Sequence, residues 1–197
     1  ISVLLWIVSF FTTLPAQSLI MSPSIAPLWQ LWRFVTTSFV YVGLPSILSL
    51  IFGIVFLLLN GPMIEREIGR RRFAALFLAS GAMGAAWMAI AGISESGLFT
   101  PIFGLLGCYL VLAWPSPRAR TQMFVTLGIL LVLNLLLSPF EILAIIGSFG
   151  AGAGAMQLFR VFDERPRSRP STPYLILTAG VLVFVLIAIV RQLISAA

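Results

Sequence analysis

The sequence contains no histidine. That absence removes the commonest general base, the commonest metal and haem ligand, and every Ser–His or Cys–His pair. Lysine is absent too, so all twelve basic residues are arginine and a Ser–Lys dyad is excluded. A single cysteine, Cys108, permits no internal disulfide and no cysteine-cluster metal site. It lies in an apolar run and reads as a small core residue rather than a nucleophile. Charge of either sign is scarce: 9% of the 197 residues are charged, where a soluble domain carries about 25%.

What is present is apolar. Hydrophobic residues make up 60% of the chain and the mean hydropathy is +1.09. A soluble enzyme and a disordered chain are both excluded, which leaves an all-α integral membrane protein. The net charge of +6 does not point to nucleic acid, because membrane proteins gather arginine on the cytoplasmic side. No cofactor is expected. A His-ligated haem, pigment or metal is impossible, and nothing argues for one held by other groups.

Charge and proline divide the chain into seven apolar runs, at about residues 1–14, 44–59, 73–92, 98–114, 123–137, 142–162 and 174–190. Backbone groups in lipid must bond within their own segment, so each run is expected to be a helix. The first is shorter than the about 20 residues needed to cross a bilayer, and is expected to be incomplete at its N-terminus. Asn134, inside the fifth run, is expected to bond across to another helix.

The arginines set an expected topology. Ten of the twelve fall in three connections, residues 65–72, 118–120 and 160–169. These share one side if every run crosses, and the positive-inside rule makes that side cytoplasmic. The other side receives Arg33 and Arg191 with Glu95 and Glu141. All-arginine usage and short loops point to a bacterial inner membrane. The first connection, residues 15–43, is long and still apolar, with Trp29, Trp32 and Arg33. Two readings stay open: a partly helical loop in the outer leaflet, or a plain loop with aromatic anchors.

Four motifs in order carry a resemblance. Leu31-Trp32-Arg33-Phe34-Val35-Thr36 resembles the Trp-Arg motif in the first loop of rhomboid proteins. The stretch from Asn60-Gly61-Pro62 through Glu65 and Gly69 to Arg72-Phe73 resembles the rhomboid turn after the second core helix. Gly97-Leu98-Phe99-Thr100-Pro101-Ile102-Phe103-Gly104-Leu105-Leu106-Gly107 resembles the opening of the fourth core helix. Gly147-Ser148-Phe149-Gly150-Ala151-Gly152-Ala153-Gly154 resembles the small-residue sixth. The resemblance covers roughly residues 1–160. It implies a polytopic helical bundle: a six-helix core over residues 1–162, a charged linker over 163–173, and an added transmembrane helix over 174–197.

Rhomboids are intramembrane serine proteases. The resemblance assigns their chemistry to a Ser in Gly-x-Ser-Gly on the fourth core helix and a His on the sixth, with a His and an Asn on the second holding the oxyanion. Here Phe99 stands at the nucleophile position and Thr100 at the following Gly. The base position holds Gly147 or Ser148, depending on one residue of register, and the helix-two pair falls at Ser49 and Gly53. Phe99 cannot attack a carbonyl, and its ring is expected to plug the cavity a protease keeps wet. The glycines of the packing faces remain, at Gly104 and Gly107 and at Gly150 and Gly154, where they are expected to let two helix backbones meet.

The resemblance therefore implies a non-catalytic rhomboid-like protein that binds other transmembrane proteins. The alternatives are an accessory subunit of a larger membrane complex and, third, a protease with an unconventional nucleophile such as Thr100 or Ser148 served by Glu95 or Glu141. The seventh run is either part of a partner contact, swung out on its charged linker, or a passive lipid-facing helix. The topology has a direct test. In a Cys108→Ala background, single cysteines replacing Arg70 and Arg118 should react only from the cytoplasmic side, and one replacing Glu95 only from outside. Outward labelling at position 70 would overturn the orientation.

Overall fold

The computed structural model describes residues 2–9, 11, 18–20, 30–41, 46–92, 99–137, 142–164 and 171–196. Every regular element among them is helical. In chain order they are α1 (Ser2–Val8), α2 (Arg33–Thr36) continued by a 3-10 turn (Thr37–Phe39), α3 (Ser46–Ile68), α4 (Arg70–Ala91), α5 (Phe99–Ala113), α6 (Pro117–Leu137), α7 (Ile142–Asp163) and α8 (Thr172–Ala196). Among the described residues α3, α4, α6, α7 and α8 are long and apolar enough to cross a membrane, and α5 is a shorter apolar helix.

The second run ends later than expected. Helix α3 continues through Pro62 and both glutamates to Ile68, so the charged stretch 65–72 is helix on both sides of one residue. That residue is Gly69, at φ 83° and ψ 151°, a backbone region that is essentially glycine's alone. Its N–H still donates to the Glu65 carbonyl at 2.8 Å, and α4 starts at once. At the far end of α4, Gly92 closes the helix in the left-handed conformation at φ 77° and donates its N–H to the Ala89 carbonyl.

Helix α4 is the hub. It packs on α7, α8, α5, α2 and α3, and residues 80–86 are buried without a break. Only small side chains let a helix be surrounded so closely, and Ser80, Gly81, Ala82, Gly84, Ala85 and Ala86 supply them. Helix α5 is enclosed as well, with residues 100–108 all buried. Its 15 residues span about 22 Å, less than the ~30 Å hydrocarbon core. A helix walled by protein need not match the lipid thickness.

The α5–α7 contact is backbone on backbone. A Cβ placed on Gly152 would overlap the Gly104 carbonyl, one on Gly107 would overlap the Phe149 carbonyl, and one on Gly104 would overlap the Ser80 side chain and lie 3.3 Å from the Ser148 carbonyl. Gly104 and Gly107 thus sit where the sequence puts them. Gly150 and Gly154 do not: both are exposed and a Cβ on either meets nothing within 4 Å. They lie two residues, about 200°, round the helix from Ser148 and Gly152. The buried stripe runs through Ala144, Ser148, Gly152, Ala155 and Phe159, at the i, i+3, i+4 spacing of one helix face.

Helix α8 is not swung away. Val185, Ala188 and Ile189 are buried against Ala82, Ala85, Ala86 and Ala89 of α4, with Phe34 of α2 in the same cluster. It also buries Gln192, beyond the expected end of the run. The start of the expected linker is pinned: Asp163 closes α7 and accepts two hydrogen bonds from Arg72, at 2.7 and 2.5 Å. The Arg72 guanidinium also lies over the Phe159 ring, 5.2 Å from its centroid. An ion pair this exposed contributes at most about 1 kcal/mol, so packing rather than charge holds α4 to α7. Peripheral α6 packs on α5 through one face that includes Met123, Leu130 and the fully buried Asn134.

The two glycine faces separate cleanly by mutation. Gly152→Ala should lower thermal stability in detergent by the about 1–3 kcal/mol typical of an overpacked core, or more. Gly150→Ala should raise it by roughly 0.5–1 kcal/mol, because alanine is the better helix former. Equal effects would mean that α7 presents a different face to α5.

Candidate functional site

Three of the residues that the resemblance assigns to catalytic positions, Thr100, Gly147 and Ser148, are buried on the facing helices α5 and α7. Thr100, in the first turn of α5, is 3% exposed. A Cβ on Gly84 of α4 would overlap the Thr100 methyl and lie 3.2 Å from the Ala144 carbonyl of α7. Three helices therefore touch at one point, and the glycine in α4 makes room for the threonine.

The hydroxyls deeper in the junction are already committed. Ser148 is fully buried, and its Oγ donates to the Ala144 carbonyl at 2.6 Å, with the Ile145 carbonyl at 3.3 Å. Ser80 repeats the pattern on α4, with the Leu76 carbonyl at 2.7 Å and the Phe77 carbonyl at 3.2 Å. A serine inside an apolar helix satisfies its proton on its own backbone in this way. A nucleophilic hydroxyl needs instead a base within hydrogen-bond reach.

The space beside Gly147 is occupied by the Trp87 indole, which a Cβ on Gly147 would overlap. The indole also meets Phe184 of α8, with ring centroids 5.9 Å apart and planes tilted by 31°. Trp87 of α4 thus touches both α7 and α8. Ser49 and Gly53 lie one turn apart on the buried side of α3, which packs on α4 and α5. Phe99 opens α5; its side chain lies outside the described residues, as do Glu95 and Glu141, so the expected plug is not placed. Among the described residues no cluster of three acidic or cysteine side chains could hold a metal.

Among its described residues the first connection contains the short helix α2 and a 3-10 turn. Arg33 is buried at 5% exposure and donates from Nη1 to the Ile20 carbonyl at 3.0 Å. Thr36 Oγ1 donates to the Leu19 carbonyl at 2.9 Å, and the half-exposed Trp32 donates from Nε1 to the Ser18 carbonyl at 3.4 Å. One helical turn therefore ties down three successive carbonyls of a segment more than ten residues earlier. Burial lowers the Arg33 pKa from the ordinary arginine value, since desolvation disfavours the charged form. The following 3-10 turn docks on α4, where a Cβ at Gly81 would come within 2.6 Å of Ser38 Oγ.

The family model of the rhomboid domain matches residues 28–164. The chain belongs to the rhomboid family. A search of curated proteins gave no match. The rhomboid match starts just before the Trp-Arg motif and ends one residue past α7, so α8 lies beyond it.

Sequence reasoning missed Trp87 and Gly152. Trp87 is a single large ring after a run of glycine and alanine, a signal that it fills space opened by its neighbours. Gly152 was hidden because the alternation 150–154 puts small residues on both faces of α7. The Trp87–Gly147 fit predicts coupling. Gly147→Ala should destabilise the protein, and adding Trp87→Leu should recover part of the loss. Thermal unfolding of the four proteins in the cycle should give a coupling energy within the about 0.5–3 kcal/mol found for touching residues. Strict additivity would remove the contact.

Proposed function

We propose that this rhomboid-family protein is non-catalytic and acts by binding other transmembrane proteins. The observation that carries the proposal is the base position. The chain has no histidine, and the two residues that compete for that place are Gly147, covered by Trp87, and Ser148, whose hydroxyl bonds to its own helix. The first competing nucleophile, Thr100, is buried in helix-to-helix contact with Gly84.

A protein left with the scaffold but without the base has its outer helix faces as its means of action. Helices α3, α6 and α8 all offer wide apolar surfaces, α8 with Leu182, Val183, Leu186, Ile187 and Val190 among its exposed residues. Leu48, Ile51, Val55, Leu58 and Leu59 are exposed on α3, and Phe124, Val125, Ile129, Val132 and Leu136 on α6. Helix α6 is the least buried of the long helices. The proposal places the protein in a bacterial inner membrane on its all-arginine usage and short loops, and puts residues 65–72, 118–120 and 160–169 in the cytoplasm on the arginine asymmetry.

Two measurements test it. The purified protein should cleave no transmembrane substrate, and a serine-directed fluorophosphonate should label neither Thr100 nor Ser148. Pull-down in mild detergent should recover other transmembrane proteins, and recovery should fall when Ile129 and Leu136 of α6 are changed to Ala. Labelling at either hydroxyl would establish an unconventional protease in place of this function. A single partner at fixed stoichiometry would establish an accessory subunit.

A further inference from the structure

Helices α4 and α8 do not stay in contact along their length. They meet where Ala85, Ala86 and Ala89 face Val185, Ala188 and Ile189. Toward the start of α4 they part, and an apolar cleft of about 260 Å³ opens between them, lined by Ala75, Ala79 and Ala82 on one side and Tyr174, Leu177 and Val181 on the other. The cleft lies beyond the junction of α4, α5 and α7 and uses other faces of α4.

A basic residue lies just beyond the cleft toward the start of α4. Arg71 lies one turn before Ala75 and two turns before Leu78, which also lines the cleft, so it shares that face of α4. Its side chain is exposed. Among the described residues Arg71 has no ion-pair partner, whereas its neighbour Arg72 is taken by Asp163. The placement is unfavourable for the helix alone. Arginines 70, 71 and 72 occupy the first turn of α4, which has no acidic residue and no side-chain cap. A helix N-terminus carries partial positive charge and free N–H groups and favours an anion there.

We propose that this cleft holds one acyl chain of an anionic phospholipid, with its phosphate against Arg71 and the first turn of α4. One combination selects this occupant. Apart from the hydroxyls of Tyr174 and Thr178 the walls of the cleft are apolar, and Arg71 lies one turn beyond them on the same face of α4, which matches a hydrocarbon tail below an anionic headgroup. Basic pockets between transmembrane helices recognise anionic headgroups by this combination of charge and apolar wall. The site is independent of the proposed function, since a lipid wedge between α4 and α8 would serve a protease or a binding protein alike.

The test uses the full chain in a neutral maltoside micelle, with thermal unfolding read against added dioleoylphosphatidylglycerol, dioleoylphosphatidylcholine or glycerol phosphate. Phosphatidylglycerol should raise the midpoint, and the other two at equal concentration should not. In Arg71→Gln the half-saturating concentration of phosphatidylglycerol should rise about fivefold, the factor for one arginine near an anionic surface. Arg118→Gln, far along the chain at the start of α6, should leave it unchanged. Ala75→Leu with Ala79→Leu fills the cleft and should abolish the lipid shift. An equal response to both lipids, a response to glycerol phosphate alone, or an unchanged response in Arg71→Gln would overturn the proposal. So would crosslinking in native membranes of Ala79→Cys, in a Cys108→Ala background, to a protein rather than to lipid.

Discussion

The close approach of the α5 and α7 backbones is the constraint from which the rest of the structure follows. Lipid tails are as apolar as leucine, so no hydrophobic effect pulls two helices together inside a bilayer. Van der Waals contact and hydrogen bonding must do it, and both improve as backbones near each other. Gly104, Gly107 and Gly152 allow that approach because any Cβ there would meet a neighbouring helix. Once the two helices touch, α4 can close over them only with small residues of its own, and Ser80 against Gly104 and Gly84 against Thr100 are the points where it does.

The same density decides the state of the polar groups. A buried hydroxyl must find a partner, because leaving it unbonded costs about 1–3 kcal/mol. With the helices this close there is little room for water, so Ser80 and Ser148 turn back to the carbonyls of their own preceding turns. Tight packing and an activated nucleophile are in this sense competing uses of one junction. Trp87 likewise fills the place beside Gly147.

The fold was legible in the sequence because its signals are collective. Long apolar runs and proline boundaries do not depend on any one residue, and the structure carries a helix in each run. Details set by rotation about a helix axis were not legible. In 147–154 small residues fall on every face of α7, so composition alone could not select Gly152 over Gly150; the choice depends on α5 lying against Ser148. The charged stretch at 65–72 reads as a loop by composition, yet apart from Gly69 it is helix, because charged residues at a membrane surface are equally compatible with a helix end. At the candidate site the sequence pointed to Thr100, Gly147 and Ser148, which are buried. It did not supply Trp87, whose role exists only once α4, α7 and α8 are side by side.

Helix α8 shapes the surroundings of those residues. By sequence it is an appended apolar segment on a charged tether, with nothing to fix it in place. In the structure its Phe184 lies beside the Trp87 indole, which also lies against Gly147, and Val185, Ala188 and Ile189 fill the alanine face of α4. A tryptophan with neighbours on two other helices is restricted in orientation, because alternative rotamers collide with one of them. Helix α8 thus braces the ring that lies against Gly147. Removing α8 would take away one neighbour of Trp87 and expose the alanine stripe of α4 to lipid, which ties the packing of α4 on α7 to a helix beyond the rhomboid match.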